Sequence, residues 1–267
     1  YILTSEKLLF SKVSPILPLG GVLCILASLL FLRVDSWSDE HLLARSNVIN
    51  HPSSTRANYW YGQVLLEKAN AVRSRDNREG EIEALVVAAR GDFKRAHHLS
   101  PNNLPAIVSM YIMDEQYFPV LSTRENWFSI LANASTNRVM QASDYAALSI
   151  LVAKLRSDEG GIKKHRLERL IDNLVSRNPN ELRALLLQYR FLVASDALLE
   201  GRIDVLEQAR ELAPGHPSVQ YLLIKEYGNA GDLAAMYEGA RRWLANDTHR
   251  RALPLIKRMY VVPGGSF

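Results

Sequence analysis

The amino-acid sequence predicts an all-α protein: one transmembrane helix followed by an α-α superhelix of about four to five helical hairpins. Three observations lead there. Beyond position 35, apolar residues recur three and four apart rather than two, so strand signals are nearly absent. Proline-bearing breakers return along the chain, each separating two amphipathic stretches. And from Val13 to Leu32 no side chain is charged.

The apolar run comes first. Roughly 20 residues without charge make a helix of about 30 Å, the thickness of a bilayer's hydrocarbon. Pro15 and Pro18 fall in its first turns, where a missing N–H is tolerated, and Gly20 and Gly21 would permit close helix approach. A cleaved signal peptide would have a shorter apolar core and small residues at its end; here Leu29-Leu30-Phe31-Leu32 runs directly into Arg33. The expected organisation is therefore a flank at 1–12, a transmembrane helix at 13–34, a connecting helix and turn at 35–55, and a helical-repeat domain at 56–267. Lys7 and Lys12 precede the run and Arg33 follows it, a bias that places the N-terminal side in the cytoplasm and the repeat domain in the periplasm. The chain opens on Tyr1 rather than Met, as a fragment or processed product would. Its one cysteine, Cys24, lies inside the run and reads as a small apolar residue.

The remaining elements follow in order. "SDEHLLARSNVI" begins with capping-type and acidic residues and ends at His51-Pro52, since a proline biases the residue before it away from helix. "STRANYWYGQVLLEKANAVRSR" aligns Ala57, Tyr61, Val64, Leu65 and Ala69 on one face. Breakers then surround Pro101, Pro179 and Pro214–Pro217, the first interval being 78 positions and the second, to Pro214, 35. Ser122-Thr123-Arg124-Glu125 is a capping box, and "RSDEGGIKKHRLERLIDNLV" supplies a Gly-Gly turn ahead of an amphipathic helix.

The 35-residue interval matches one tetratricopeptide repeat, and 78 is near two with insertions. Tyr61-Gly62-x-x-Leu65, then Ala89-x-x-x-Phe93-x-x-Ala96 and Pro101, resembles one such unit, interrupted by the polar insertion "RSRDNREGEIE". Leu223, Tyr227, the turn Gly231-Asp232 and Ala235 resemble another, which departs from the pattern at Gly239, Arg242 and Asp247. The units between, roughly Asn102–Asn178, keep helical periodicity and little of the motif. Gly62 and Ala89 would let helices approach closely while Tyr61, Phe93 and Tyr227 fill the space between hairpins. The region Leu17–Pro101 also resembles the junction in bacterial integral-membrane glycosyltransferases and polysaccharide polymerases that carry C-terminal tetratricopeptide repeats.

Chemistry is sparse. His97 and His98 are adjacent and point about 100° apart on a helix, so they cannot share a metal as an i, i+4 pair would. HExxH, paired CxxC, phosphate-loop and GxSxG patterns are missing, so no catalytic residue, metal ligand or cofactor is expected. Asp35 and Asp39 read as complements to a helix dipole. A net charge of +4 and a pI near 9.1 raise a nucleic-acid reading. The cations alternate with acids along helix faces, as solvated helices do, so no nucleic-acid partner is expected. The denser cluster Arg241, Arg242, His249, Arg250, Arg251, Lys257 and Arg258 reads as solubilising. Asn133 and Asn246 sit in glycosylation patterns that matter only in a eukaryotic secretory compartment.

What remains is recognition. In the repeat register, Arg56, Tyr59, Gln63 and Glu67 face the concave side of the first unit, and Tyr221, Lys225 and Asn229 that of the last. Trp60, Trp127 and Trp243 are read as core. The expected function is a membrane-anchored, non-catalytic scaffold that binds a protein or peptide beside the bilayer, other membrane subunits included. The alternative is the periplasmic repeat domain of a polytopic glycosyltransferase, polysaccharide polymerase or export component.

Overall fold

The computed structural model describes residues 16–75, 78–120, 126–136, 138–156, 163–246, 252–254 and 256. Among them every regular element is helical: α1 (Ile16–Ser38), α2 (Glu40–Asn50), α3 (Thr55–Arg75), α4 (Glu79–Leu99), α5 (Leu104–Tyr117), α6 (Trp127–Thr136), α7 (Ala142–Arg156), α8 (Lys164–Arg177), α9 (Leu182–Ala194), α10 (Leu199–Leu212), α11 (Pro217–Asn229) and α12 (Leu233–Asn246). The all-α fold built from successive helical pairs is as expected. The chain divides into two compact units, Tyr1–Asp92 and Phe93–Phe267, with the division inside α4.

In the first unit α1 packs on α2 and α2 on α3. Among the described residues no helix is long and apolar enough to cross a membrane. This overturns the expected span over 13–34, and with it the single-span membrane localisation, the cytoplasmic and periplasmic sides and the bilayer contact. The reason is length. Within α1 (Ile16–Ser38) the uncharged stretch ends at Leu32, ahead of Arg33 and Asp35, and at about 1.5 Å per residue it covers about 25 Å, against the roughly 30 Å a hydrocarbon core demands. The sequence reading had counted from Val13; positions 13–15 lie outside the described residues.

α2 starts where Asp39 accepts from the N–H groups of His41 (2.8 Å) and Leu42 (3.1 Å). On α3, Ala57, Gly62, Val64, Leu65 and Ala69 are buried, and on α4 Ile82, Val86 and Ala89. The polar insertion expected between them is largely helix, because α3 continues to Arg75 and α4 begins at Glu79. Arg and Glu are good helix formers and need no apolar face to extend a turn.

The second unit is a two-layer stack. α5, α7, α9 and α11 form one layer, here the A helices, and α6, α8, α10 and α12 form the other. α5 packs on α7, α7 on α9, and α6 on α8, while within hairpins α5 packs on α6, α9 on α10 and α11 on α12. No helical pair buries its apolar face alone, so the neighbours supply what is missing. Leu185 and Tyr189 of α9, Val205, Leu206 and Ala209 of α10, and Val219 and Leu223 of α11 form one continuous core. Ile224, Ala240, Trp243, Ala252 and Ile256 form the next. The close approach at the end of the stack explains a departure from the repeat pattern: a Cβ on Gly239 would meet Ile224 Cγ1 at 3.3 Å.

Repetition is written into the backbone. At Pro52, Pro101, Pro179 and Pro214, the carbonyl of the residue before proline accepts from the N–H three residues on. The bonds are Ser54 to His51 (3.0 Å), Asn103 to Ser100 (2.9 Å), Glu181 to Asn178 (3.1 Å) and His216 to Ala213 (3.0 Å). Proline's fixed φ suits the second position of such a turn, and its missing N–H costs nothing there. The A-to-B turns repeat as well. Ala197 N–H donates to Leu192 O (2.9 Å) and, 35 residues later, Asp232 N–H to Tyr227 O (3.0 Å). Asp196 (φ 53°) and Gly231 (φ 72°) hold the left-handed position between them.

Two side chains fasten a proline turn to the helix it launches. Asn58 Nδ2, fully buried, donates to Pro52 O (2.9 Å) and Ser54 O (2.7 Å). Gln220 Nε2 donates to Pro214 O at 2.6 Å, six residues back like the first.

Substituting Asn58→Ala should lower stability by about 1–3 kcal/mol, because the two bonds from its buried amide to the Pro52 and Ser54 carbonyls are lost; equilibrium denaturation measures this, and an unchanged midpoint would contradict the tether. Gly231→Ala should cost about 1–2 kcal/mol for a side chain in the left-handed region, whereas Asp196→Gly should cost nothing; equal effects of the two on thermal melting would show that the turns are not equivalent.

Candidate partner-binding face

Proline turns fix the first residues of α3, α5, α9 and α11, and α7 follows Gln141, so equivalent positions can be counted from the residue preceding each helix. In the second unit the ninth is Ile112 on α5, Ile150 on α7, Arg190 on α9 and Lys225 on α11; in the first unit the same count gives Gln63 on α3. Gln63 and Lys225 belong to the expected recognition set; the other three do not.

The seven expected residues are placed as follows. In the first unit Arg56 and Glu67 are exposed on α3, and Tyr59 and Gln63 are half-buried. Gln63 Nε2 donates to Tyr59 Oη at 2.5 Å, which fixes the amide above the ring. Near them, Trp60 Nε1 donates to Glu40 Oε1 (3.2 Å), and the Tyr61 ring lies 5.8 Å from that of His41. In the second unit Lys225 and Asn229 are exposed. Tyr221, half-buried, packs against the Ile224, Ala240 and Trp243 core. The structure thus brings Tyr59 to Gln63, and Asn229 to a neighbour that sequence reasoning missed.

That neighbour is Glu226, only 2% exposed. Its Oε1 accepts from Tyr189 Oη on α9 at 2.6 Å, and its Oε2 from Asn229 Nδ2 at 3.2 Å. A carboxylate this deeply buried requires donors on both oxygens, and the pair ties α11 to α9. Burial first, then the bond to Glu226, holds the Tyr189 hydroxyl well above the usual phenol range. A second tyrosine–carboxylate contact lies nearby: Tyr227 Oη donates to Glu207, which also meets Arg210. Burial, followed by that bond, pushes Tyr227 up to about 12. Tyr145 is also pushed up to about 12, by burial and then by Glu181.

On the A-helix side of the second unit, Arg190 Nη1 donates to Ser149 Oγ of α7 at 2.8 Å, both groups being at the surface. Ile150, next to Ser149, is 47% exposed. Arg190 and Ile150 were missed because α7 and α9 carry little of the repeat motif; the count from the turn at Pro179 would have found Arg190, whereas no proline precedes α7 to give a count for Ile150. Among the described residues no group of three or more His, Cys, Asp or Glu is placed to hold a metal. The far members of the basic cluster, His249, Arg250, Arg251, Lys257 and Arg258, lie outside the described residues, as does the capping box at Ser122–Glu125. What the face presents is cations, amides and apolar side chains, the groups that recognise carboxylates, backbone amides and apolar anchors.

No protein family matches the chain, and no curated protein does. Among solved structures it is similar to PilW, a widely conserved type IV pilus biogenesis factor, at 13% identity over 86% of this chain and 95% of that one, with a TM-score of 0.46. It is also similar to the TPR domain of P58(IPK), at 16% identity over 91% of this chain and 62% of that one, with a TM-score of 0.32. Likenesses at these scores identify neither a partner nor an activity, and none of them supports the resemblance to glycosyltransferases or polysaccharide polymerases.

Alkali should weaken the second unit. The unfolded chain's tyrosines release their protons near pH 10, whereas Tyr145 and Tyr227 hold theirs to about 12 in the folded state. The linked stability is therefore complete below pH 10 and is lost as pH climbs through about 12. Urea midpoints measured from pH 9 upward should fall over that window, and Tyr227→Phe should flatten the fall; folded-state phenol absorbance rising already near pH 10 would refute it.

Proposed function

We propose that this chain is a tetratricopeptide-like scaffold that binds a protein or peptide segment across its A helices. The observation that carries the reading is the row Ile112, Ile150, Arg190 and Lys225, placed at one equivalent position per A helix of the second unit. The motif residues Gly62, Ala89 and Phe93, all buried, support the tetratricopeptide-like assignment. In such a stack the A helices offer a continuous surface whose residues are set by rigid neighbours, so a bound segment meets preorganised groups. Arg56, Tyr59, Gln63 and Glu67 serve this role in the first unit, and Lys225 and Asn229 in the second. Tyr221 contributes its edge while the rest of the ring supports the core.

Capture from a cell extract tests the reading, with the full chain immobilised. Wild type should retain a defined set of proteins, and the Arg190→Ala/Lys225→Ala variant, altered only at exposed side chains, should lose most of that set while melting at the same temperature. An identical set on both proteins would remove the A-helix face from the function.

A further inference from the structure

The binding face also carries information about the chemistry of its occupant, an inference that rests on the scaffold reading above. On the A helices of the second unit, charges are sorted by sign. Asp114, Asp144 and Glu226 are buried. Two of these acids have partners within the fold: Asp144 Oδ2 meets Arg138 and accepts from the Gln141 N–H (2.7 Å), and Glu226 accepts on both oxygens, from Tyr189 and Asn229. Arg190 and Lys225 are exposed, and so is Arg183, even with Glu181 at 3.4 Å. Glu115, half-buried on α5, stands at the opposite end of the row.

The row also changes character along its length. Ile112 and Ile150 come first, then Arg190 and Lys225. The 2.8 Å bond from Arg190 to Ser149 sets the first cation directly beside the apolar half. We propose that this face holds a peptide segment with an apolar anchor over α5 and α7 and carboxylates over α9 and α11. Packed helices lie about 8–10 Å apart, and an extended chain advances about 3.3 Å per residue. The first carboxylate therefore falls about three residues from the anchor and the second about six. Acids buried within the stack contribute little repulsion at its surface, so Arg190 and Lys225 set the charge that a bound segment meets.

Selection from a random-peptide display library against the full chain tests this. Enriched peptides should carry an aliphatic or aromatic residue with Asp or Glu about three and six positions away. Their affinity should fall about tenfold with Arg190→Glu/Lys225→Glu, and should weaken as salt is raised. Ile150→Asp should also abolish selection; Arg190→Ala/Lys225→Ala and Ile150→Ala give the same readings should the harsher variants fail to fold. Enrichment of neutral or basic peptides that bind the charge-reversed protein equally well would overturn the acidic partner and leave the scaffold standing. No enrichment of any peptide would overturn both.

Discussion

A short backbone turn governs this structure. Four times the chain reaches a residue followed by proline, and four times that residue's carbonyl accepts from the N–H three positions later. Proline holds φ near the value the turn needs, so little entropy is lost in forming it. The consequence is register. Because the turn fixes the first residue of the next A helix, it also fixes which side chains enter the core and which remain outside. Asn58 and Gln220 reinforce the device by gripping the proline carbonyl itself, at Pro52 and Pro214. A slip of one residue at the turn would rotate the helix by about 100° and expose the core face.

This explains which parts of the fold were legible. Pro179 and Pro214 stand one repeat apart, so the last two hairpins could be read directly from the sequence. Pro52 was read only as a helix stop, because no repeat precedes it to reveal the period; its turn is nevertheless of the same kind. The Asp196 turn matches Gly231 in backbone hydrogen bonding, yet aspartate gives no warning of a positive φ the way glycine does. The insertion between α3 and α4 was misjudged for the opposite reason. Its charged residues read as a loop, but charge does not oppose helix where the extension stays in water. The apolar run at the N-terminus shows the limit of composition: counting uncharged residues set its length, whereas α1 (Ile16–Ser38) reaches Arg33 and Asp35 before its uncharged stretch matches a bilayer.

The binding face was half legible. Gln63, Lys225 and Asn229 emerged because α3 and α11 keep the aromatic and small positions that mark the repeat. Arg190 and Ile150 did not, since the place of Gly62 is taken by Tyr189 on α9 and Ser149 on α7, and that of Leu65 by Leu192 and Val152, which pack without the motif. Cores accept many combinations of apolar side chains of adequate volume, so packing erases the signature while leaving the turn in place. Tyr221 shows the same effect in reverse: its aromatic ring reads as a recognition residue, and the end of the stack uses it as cover for Trp243 and Ile224.

Sorting acids inward and cations outward has its own energetic logic. A buried carboxylate is costly without donors, and Glu226 obtains one on each oxygen, from a neighbouring helix and from one turn further along its own. That requirement makes the contact specific. A leucine at the same place would pack against α9 in several registers, whereas Glu226 accepts only the one that delivers the Tyr189 hydroxyl. Asp144 plays the corresponding part at the start of α7, reaching back to the Gln141 N–H as a capping residue does while also meeting Arg138. The acids therefore specify how the helices sit, and in being consumed by that task they leave the outer face to Arg190 and Lys225. The same residues that fix the stack thus determine the sign of what can approach it.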